Sequence, residues 1–422
     1  MRILIVHEAP AGGGGVESYL AALMPALAAR GHELAFLHHN PRSEHGPTRL
    51  DRHAGPPAGV AGVRPVAGVM PVAGVMPVAS VMDDGLEAAI AQMQTWRPDL
   101  CFSHNMRHLE VDERLLELAP VVKMMHGYFG TCIGGQKAHA FPGVEPCSRV
   151  FGAPCLGLYL PRRCGQLRPL LMIDQFKWAS RQRALFDRYA HVVVASGHMA
   201  REYARHGLED RRLTSAPLFP TLGTSYAPRP VPADPTVVFA GRMTRLKGGD
   251  ILVRAVAVAN RIMGSPVRVV FAGEGPERDA WRARANAFGV DAAFPGWLTG
   301  VALIDALRKA SVVAVPSRWP EPFGLAGLEA AVHGVPAVAF DVGGISEWLN
   351  DGVNGRLVGR RERSDPADAF GRILAAVLSS PADLARLGAG AAEVARAMSI
   401  DVHLDILEGV FGRAAGSRAA LA

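Results

Sequence analysis

Short apolar runs, each followed by a turn and then a helical pattern, recur along this chain and restrict its fold more than any other feature. Ile3–Val6, Glu33–His38, Val121–Met125 and Val192–Ser196 read as strands in the first half. Thr236–Ala240, Val267–Ala272, Val312–Val315 and Pro336–Phe340 repeat the pattern in the second. Strands alternating with helices imply β-α-β units and parallel sheets. Between the two series, Pro217, Pro220, Pro228, Pro230, Pro232 and Pro235 crowd a helix-free span that reads as a linker. The expectation is an α/β protein with one Rossmann-like domain over residues 1–225 and a second over 226–399.

The stretch Ser317-Arg-Trp-Pro-Glu-Pro-Phe-Gly-Leu-Ala-Gly-Leu-Glu329 carries the clearest chemistry. Pro320 and Pro322 hold the chain out of helix after a buried strand. A helical pattern then starts near Phe323, and Gly334 and Pro336 stop it. Free N–H groups near Phe323, Gly324 and Leu325 favour an anion. Glu321 and Glu329 bracket that point, roughly 9 Å apart along the axis. A retaining glycosidase pair lies about 5 Å apart. The wider spacing suits an elongated ligand with a polyol, a diphosphate and a second polyol, since carboxylates accept from sugar hydroxyls.

Cations converge on the same edge. Arg242 ends a strand and Lys247 stands at the next helix entrance. Both can reach one leaving diphosphate. No Asp-x-Asp pair occurs in the chain, so these cations are expected to replace a catalytic metal. Gly273 and Gly275 form a turn after the following strand, and Trp297 offers a ring for a base. Gly343 and Gly344 are further backbone donors. In the first half, the turn Ala11-Gly-Gly-Gly-Gly15 leaves Gly14 and Gly15 near phosphate or acceptor. His104 and His126 both end parallel strands, the edge at which open α/β sheets bind ligands.

The string Glu321…Glu329 resembles the Glu-x7-Glu signature of the retaining GT-B glycosyltransferases of family 4, the glycosyl transferases group 1. Gly241-Arg242…Lys247-Gly248 and Gly273-Glu-Gly275-Pro276 are similar to that family's phosphate motifs. The resemblance implies a GT-B fold, two doubly wound domains facing across a cleft, with a last helix over 400–422 crossing back onto the first. It implies that Glu321 contacts the donor sugar and Glu329 the ribose, with the diphosphate at Gly324 and Leu325. His126 then lies near the reacting face. The expected activity is metal-independent hexosyl transfer, with retention, from a nucleotide-diphosphate sugar to a glycan, lipid or small acceptor in envelope or polysaccharide synthesis. A nucleotide-sugar epimerase on the same fold and a non-catalytic nucleotide-sugar-binding protein are the alternatives.

Two segments fit no motif. Residues 41–82 hold a tandem Pro-Val-Ala-Gly-Val-Met repeat at Pro65, Pro71 and Pro77. A Pro and usually a Gly every six residues argue against helix and central strand, so a low-complexity loop is expected. Residues 130–170 thread Cys132, Cys147, Cys155 and Cys164 through a Gly/Pro-rich, helix-poor insert. A segment with little core of its own has use for a structural zinc held by four thiolates. Yet no Cys-x2-Cys knuckle is present, and unlinked or redox-sensitive thiols remain the alternative.

Composition bounds the rest. With 49% hydrophobic and 20% charged residues, large cores are available. No apolar run reaches the roughly 18 residues of a spanning helix. Met1–His7 is too short for a signal peptide, so a cytoplasmic chain is expected. The net charge of +6 gathers largely between Arg149 and Arg212, including Arg162, Arg163, Arg168, Arg181, Arg183, Arg211 and Arg212. That excess fits peripheral contact with an anionic inner membrane face, an acidic acceptor or an ordinary arginine-rich surface. No basic–aromatic interleaving points to nucleic acid.

Overall fold

The computed structural model describes residues 1–9, 14–40, 75–223, 229–359 and 365–419. The first sheet takes β1 (Arg2–His7), β2 (Glu33–His38), β3 (Val75–Ser80), β4 (Leu100–His104) and β5 (Val121–Met125). A small hairpin, β6 (Ala138–His139) with β7 (Glu145–Pro146), lies outside it. β8 (His191–Val194) and β9 (Leu213–Ser215) complete the seven strands in the order β3-β2-β1-β4-β5-β8-β9, all parallel.

The second sheet is formed by β10 (Thr236–Ala240), β11 (Arg268–Ala272), β12 (Ala292–Gly296), β13 (Val312–Val315), β14 (Ala337–Phe340) and β15 (Gly355–Val358). Its order is β12-β11-β10-β13-β14-β15, again all parallel. Both sheets reverse direction of growth beside their first strand, at β1/β4 and at β10/β13. Open α/β sheets take ligands in the crevice outside the carboxyl ends at that switch. The expected fold class, two doubly wound Rossmann-like domains, is the one observed.

The helix Ile400–Ala419 returns to the first sheet. Leu404, Leu407, Val410 and Phe411 are buried there with Ile3, Leu20 and Phe102. Tyr19 Oη lies 2.8 Å from His403 Nε2, and His403 Nδ1 lies 2.8 Å from the Pro217 carbonyl. The C-terminal helix is thus tied both to the first domain and to the linker.

The repeat region departs from the loop expected over 41–82. Its last copy enters β3, parallel to β2 at the sheet edge. The register slips between Leu34/Val75 and Phe36/Val78, so Pro77 falls in a bulge. An edge strand with a bulge is where a sheet tolerates proline, because one row of its backbone groups faces no partner strand. The copies at Pro65 and Pro71 lie outside the described residues.

The insert over 130–170 also differs. Ile133, Phe151, Tyr159 and Cys164 form a small core with Ala179. Lys137 pairs with Glu202 at 2.5 Å, both nearly inaccessible. The segment therefore has packing of its own. No three sulfurs of Cys132, Cys147, Cys155 and Cys164 come within 4.8 Å of one another among the described residues. Burial, followed by the three other thiols, pushes the Cys164 thiol up to about 12. The structural zinc is not supported.

Candidate active site

The second switch point gathers the chemistry. After β13, the loop Pro316–Gly324 carries Glu321 inward, where it is only 3% exposed. Lys247 ends a short 3-10 turn after β10. Its Nζ lies 2.7 Å from Glu321 Oε1. The Ser317 hydroxyl donates to the same oxygen, and the Trp319 ring lies 5.5 Å from Lys247 Nζ. Loop and turn come from adjacent strands, β10 and β13, so the pair follows directly from topology.

A glycine turn holds this loop in place. Gly343 has φ +63°, and a Cβ there would lie 2.2 Å from the Glu321 carbonyl oxygen. The Gly344 N–H donates to that oxygen at 2.7 Å. Sequence reasoning made Gly344 a donor to ligand; the structure gives its N–H to the protein instead. Gly273 and Gly275 likewise have a packing reason. A Cβ on either would lie 2.0 Å from the Gly241 carbonyl oxygen and 2.3 Å from that of Met243, respectively. They let the turn after β11 close against the turn after β10.

Phe323 is buried in the core, and its carbonyl accepts from Trp348 Nε1 at 2.8 Å. Only backbone can therefore face a ligand there. Gly324, at φ +86°, caps the helix Leu325–Ala331, and Leu325 is its first residue. Arg242 is exposed and its guanidinium makes no ion pair among the described residues. It is free to meet an anion. Trp297 follows β12 with 47% of its surface exposed. It stands at the carboxyl edge as an accessible ring and not in the core.

Glu329, expected at the ribose, is buried against the linker. Its Oε1 accepts from the Thr221 N–H at 2.7 Å and hydroxyl at 2.8 Å, and its Oε2 from the Leu222 N–H at 2.8 Å. Both oxygens already serve the linker. Burial raises its carboxyl above the ordinary carboxylate range, against those hydrogen bonds.

The first domain presents His126, half-buried after β5, whose Nε2 lies 3.0 Å from His104 Nδ1. Only Nδ1 of His126 is left to meet a ligand. Burial pushes its imidazole down to about 3, so it is neutral at physiological pH. His104 is fully buried and supports His126 from behind. At the first switch point, Gly14 caps the helix Gly15–Ala29. A Cβ on Gly14 would lie 2.3 Å from Glu17 Oε2, whereas Gly15 has open space around it. The Glu17 carboxylate, which also pairs with His7 at 3.3 Å, already occupies the anion position beside Gly14. That leaves Gly15 as the better-placed amide of the two.

Sequence reasoning did not single out Tyr128 and Trp319. Their rings meet edge to face at 6.3 Å across the two domains. Tyr128 Oη and Trp319 Nε1 are both buried without a hydrogen-bond partner among the described residues. The Glu321 charge adds to burial in raising the Tyr128 hydroxyl. Two orphaned donors beside Glu321 are suited to sugar hydroxyls. The domains also meet where the Gly197 N–H donates to Glu347 Oε1 at 2.8 Å.

Residues 13–218 match the family described as Glycosyltransferase Family 4, and residues 234–376 match Glycosyl transferases group 1. These are the two domains of a GT-B glycosyltransferase. A D-inositol 3-phosphate glycosyltransferase of Nocardia farcinica is 40% identical over 151 residues, which is 34% of this chain and 33% of that protein. One of Stackebrandtia nassauensis is 36% identical over 200 residues, 45% of this chain and 44% of that protein. Less than half the length of these relatives is therefore spanned. Among solved structures, Anabaena HepE in complex with UDP-glucose superposes with a TM-score of 0.64 at 17% identity, over 97% of this chain and 99% of that one. Sucrose-phosphate synthase of Thermosynechococcus elongatus gives 0.62 at 18%, over 96% and 97%. Both superpositions show the GT-B fold of this chain.

Proposed function

We propose that this glycosyltransferase chain moves a hexosyl unit from a nucleotide-diphosphate sugar to a hydroxyl acceptor, with retention and without a catalytic metal. The single observation that carries the reading is the Lys247–Glu321 pair at the β10/β13 switch point, beside Arg242. The bond between the anomeric carbon and the diphosphate oxygen breaks, one between that carbon and the acceptor oxygen forms, the acceptor proton passes to the departing diphosphate or to water, and Arg242 and Lys247 meet the charge left on the diphosphate. Backbone N–H groups at Gly324 and Leu325 add to this. Glu321 accepts from donor-sugar hydroxyls, joined by Tyr128 and Trp319. Trp297 stacks on the base. His126, neutral, offers Nδ1 at the reacting face. The acceptor lies along the carboxyl edge of the first sheet, near Gly15. For Glu329 we propose a ribose hydroxyl at its remaining acceptor position, since an ionised carboxylate has about four and three are filled. No nucleophile is assigned.

The solved HepE complexes hold UDP and glucose or UDP-glucose, and the inositol phosphate transferases act, by name, on D-inositol 3-phosphate. These support a nucleotide sugar as donor and a polyol or glycan as acceptor. A lipid-linked acceptor at an anionic membrane face would meet Arg162, Arg163 and Arg168 beside the exposed Leu167 and Leu170. Arg181, Arg183 and Arg212 are instead engaged within the chain, by Glu113, the Phe151 carbonyl and Asp187.

Thermal-shift screening against UDP-, GDP- and ADP-sugars with a chelator present tests the reading. A shift with one nucleotide sugar, and product of retained configuration by NMR once an acceptor is supplied, is the expected result. Nucleotide release from donor alone at full rate, without any acceptor, would replace transfer by epimerisation. No shift with any nucleotide in folded protein would overturn the donor site.

A further inference from the structure

Three neighbouring strands of the first sheet each deliver a ligating side chain to one point on its carboxyl edge. Glu8 follows β1, His39 follows β2, and His108 closes the short connection after β4. One carboxylate oxygen and one nitrogen of each ring all lie within 4.8 Å of one another. All three residues are half-buried. The donor site makes no use of them.

Their surroundings orient them. His108 Nδ1 lies 3.2 Å from Glu110 Oε1, and His108 Nε2 lies 3.6 Å from Glu8 Oε1. His39 Nδ1 lies 3.5 Å from Asn40 Oδ1. An oxygen acceptor thus stands at Nδ1 of both rings, and His108 Nε2 faces Glu8. A carboxylate or carbonyl behind the far nitrogen fixes the tautomer and raises the basicity of the ligating one, as behind metal-bound imidazoles. Glu8 is steadied by its other oxygen, which accepts from the Arg107 N–H at 2.9 Å.

We propose that Glu8, His39 and His108 bind one divalent ion of the zinc class, with a remaining position open to an acceptor hydroxyl or phosphate oxygen. Two imidazoles and one carboxylate match zinc and its neighbours, while magnesium and calcium favour all-oxygen sets. Zinc–nitrogen bonds of about 2.0–2.1 Å place tetrahedral ligand atoms about 3.4 Å apart. The two imidazoles now stack at 3.5 Å with 4° between their planes. Binding therefore splays the rings so that each nitrogen lone pair points at the ion. The His108 side chain, 43% exposed, has room to turn. The acceptor contact rests on the proposed transfer; the ion site does not.

The test is zinc and cobalt titration of the full chain after dialysis against a chelator, read by calorimetry, metal analysis and the visible cobalt spectrum. One ion per chain is expected. Glu8→Gln and His108→Ala should each weaken it at least tenfold with circular dichroism unchanged, and Glu110→Gln about tenfold through the Nδ1 contact. Absence of binding to folded wild type would overturn the site. So would undiminished binding in Glu8→Gln and His108→Ala. Loss of binding in a Cys132→Ser/Cys164→Ser chain, with thiolate bands in the cobalt spectrum, would move the ion to the insert and overturn it too. None of these readouts needs a nucleotide sugar, so failure of the ion site and failure of the donor site are separable.

Discussion

Lys247 Nζ and Glu321 Oε1 lie 2.7 Å apart, with the carboxylate buried and the ammonium at the surface of the cleft. The geometry lets Lys247 face a diphosphate on one side and hold Glu321 on the other. Lys247→Ala should lower kcat/KM on a nucleotide sugar by about 10²–10³, the cost of removing one leaving-group donor. It also leaves a buried carboxylate without its cation, at about 1–3 kcal/mol of stability. A double-mutant cycle with Glu321→Ala should show strong non-additivity. Wild-type turnover in Lys247→Ala would remove the residue from the mechanism.

Gly343→Ala should act on the same loop without touching substrate. A Cβ 2.2 Å from the Glu321 carbonyl oxygen, at φ +63°, cannot be accepted without moving the loop. We expect a loss of about 1–3 kcal/mol together with loss of donor binding. Calorimetric titration with the nucleotide sugar, beside urea unfolding, would separate the two effects.

Trp297→Ala should do the opposite. The ring is 47% exposed, so stability should change by less than about 0.5 kcal/mol. Stacking between aromatic rings contributes about 0.5–1.5 kcal/mol. Nucleotide affinity should therefore fall about 2- to 12-fold, and equal affinities would show that the base binds elsewhere.

The fold should weaken in mild acid. His126 is held down to about 3 against an ordinary 6.5, by burial first. A depressed imidazole contributes stability that is present above pH 6.5 and lost as pH falls from 6.5 towards 3. At pH 5 the loss from this one residue is about 2 kcal/mol. His403 and His191, each held down to about 4 by burial, add to the decline below pH 6.5. Urea unfolding at pH 7 and pH 5 should show a smaller drop for His126→Asn than for wild type. An equal drop would mean His126 does not titrate with unfolding.

The sheets and the candidate site at the β10/β13 edge were legible because each depends on local signals. Val312–Val315 is continuously apolar, and Pro320, Pro322 and Gly324 punctuate the loop that carries Glu321. The Arg242…Lys247 turn reads the same way after β10. What stayed hidden depends on contacts far apart in sequence. Nothing around Glu329 announces that its carboxylate binds Thr221 and Leu222 in the linker. The last repeat copy joins the sheet only because β2 offers an unpaired edge. Tyr128 and Trp319 become partners only once two domains face each other. Glu8, His39 and His108 have no motif spacing, since three strands bring them together.

The linker contacts carry a mechanical consequence. Ala216 and Phe219 are packed in the core of the first domain, while Thr221 and Leu222 are fastened to the second by Glu329. Only Pro220 stands between the two anchored pieces, and its ring fixes φ. The chain crosses between domains again near Ser399, between the helices Pro381–Ala397 and Ile400–Ala419. The two crossings, at Pro220 and Ser399, are where an opening of the cleft would turn, and the Gly197–Glu347 contact is the one such an opening would break. Through Glu329 the hinge at Pro220 is fastened to the helix Leu325–Ala331, which directly follows the loop carrying Glu321.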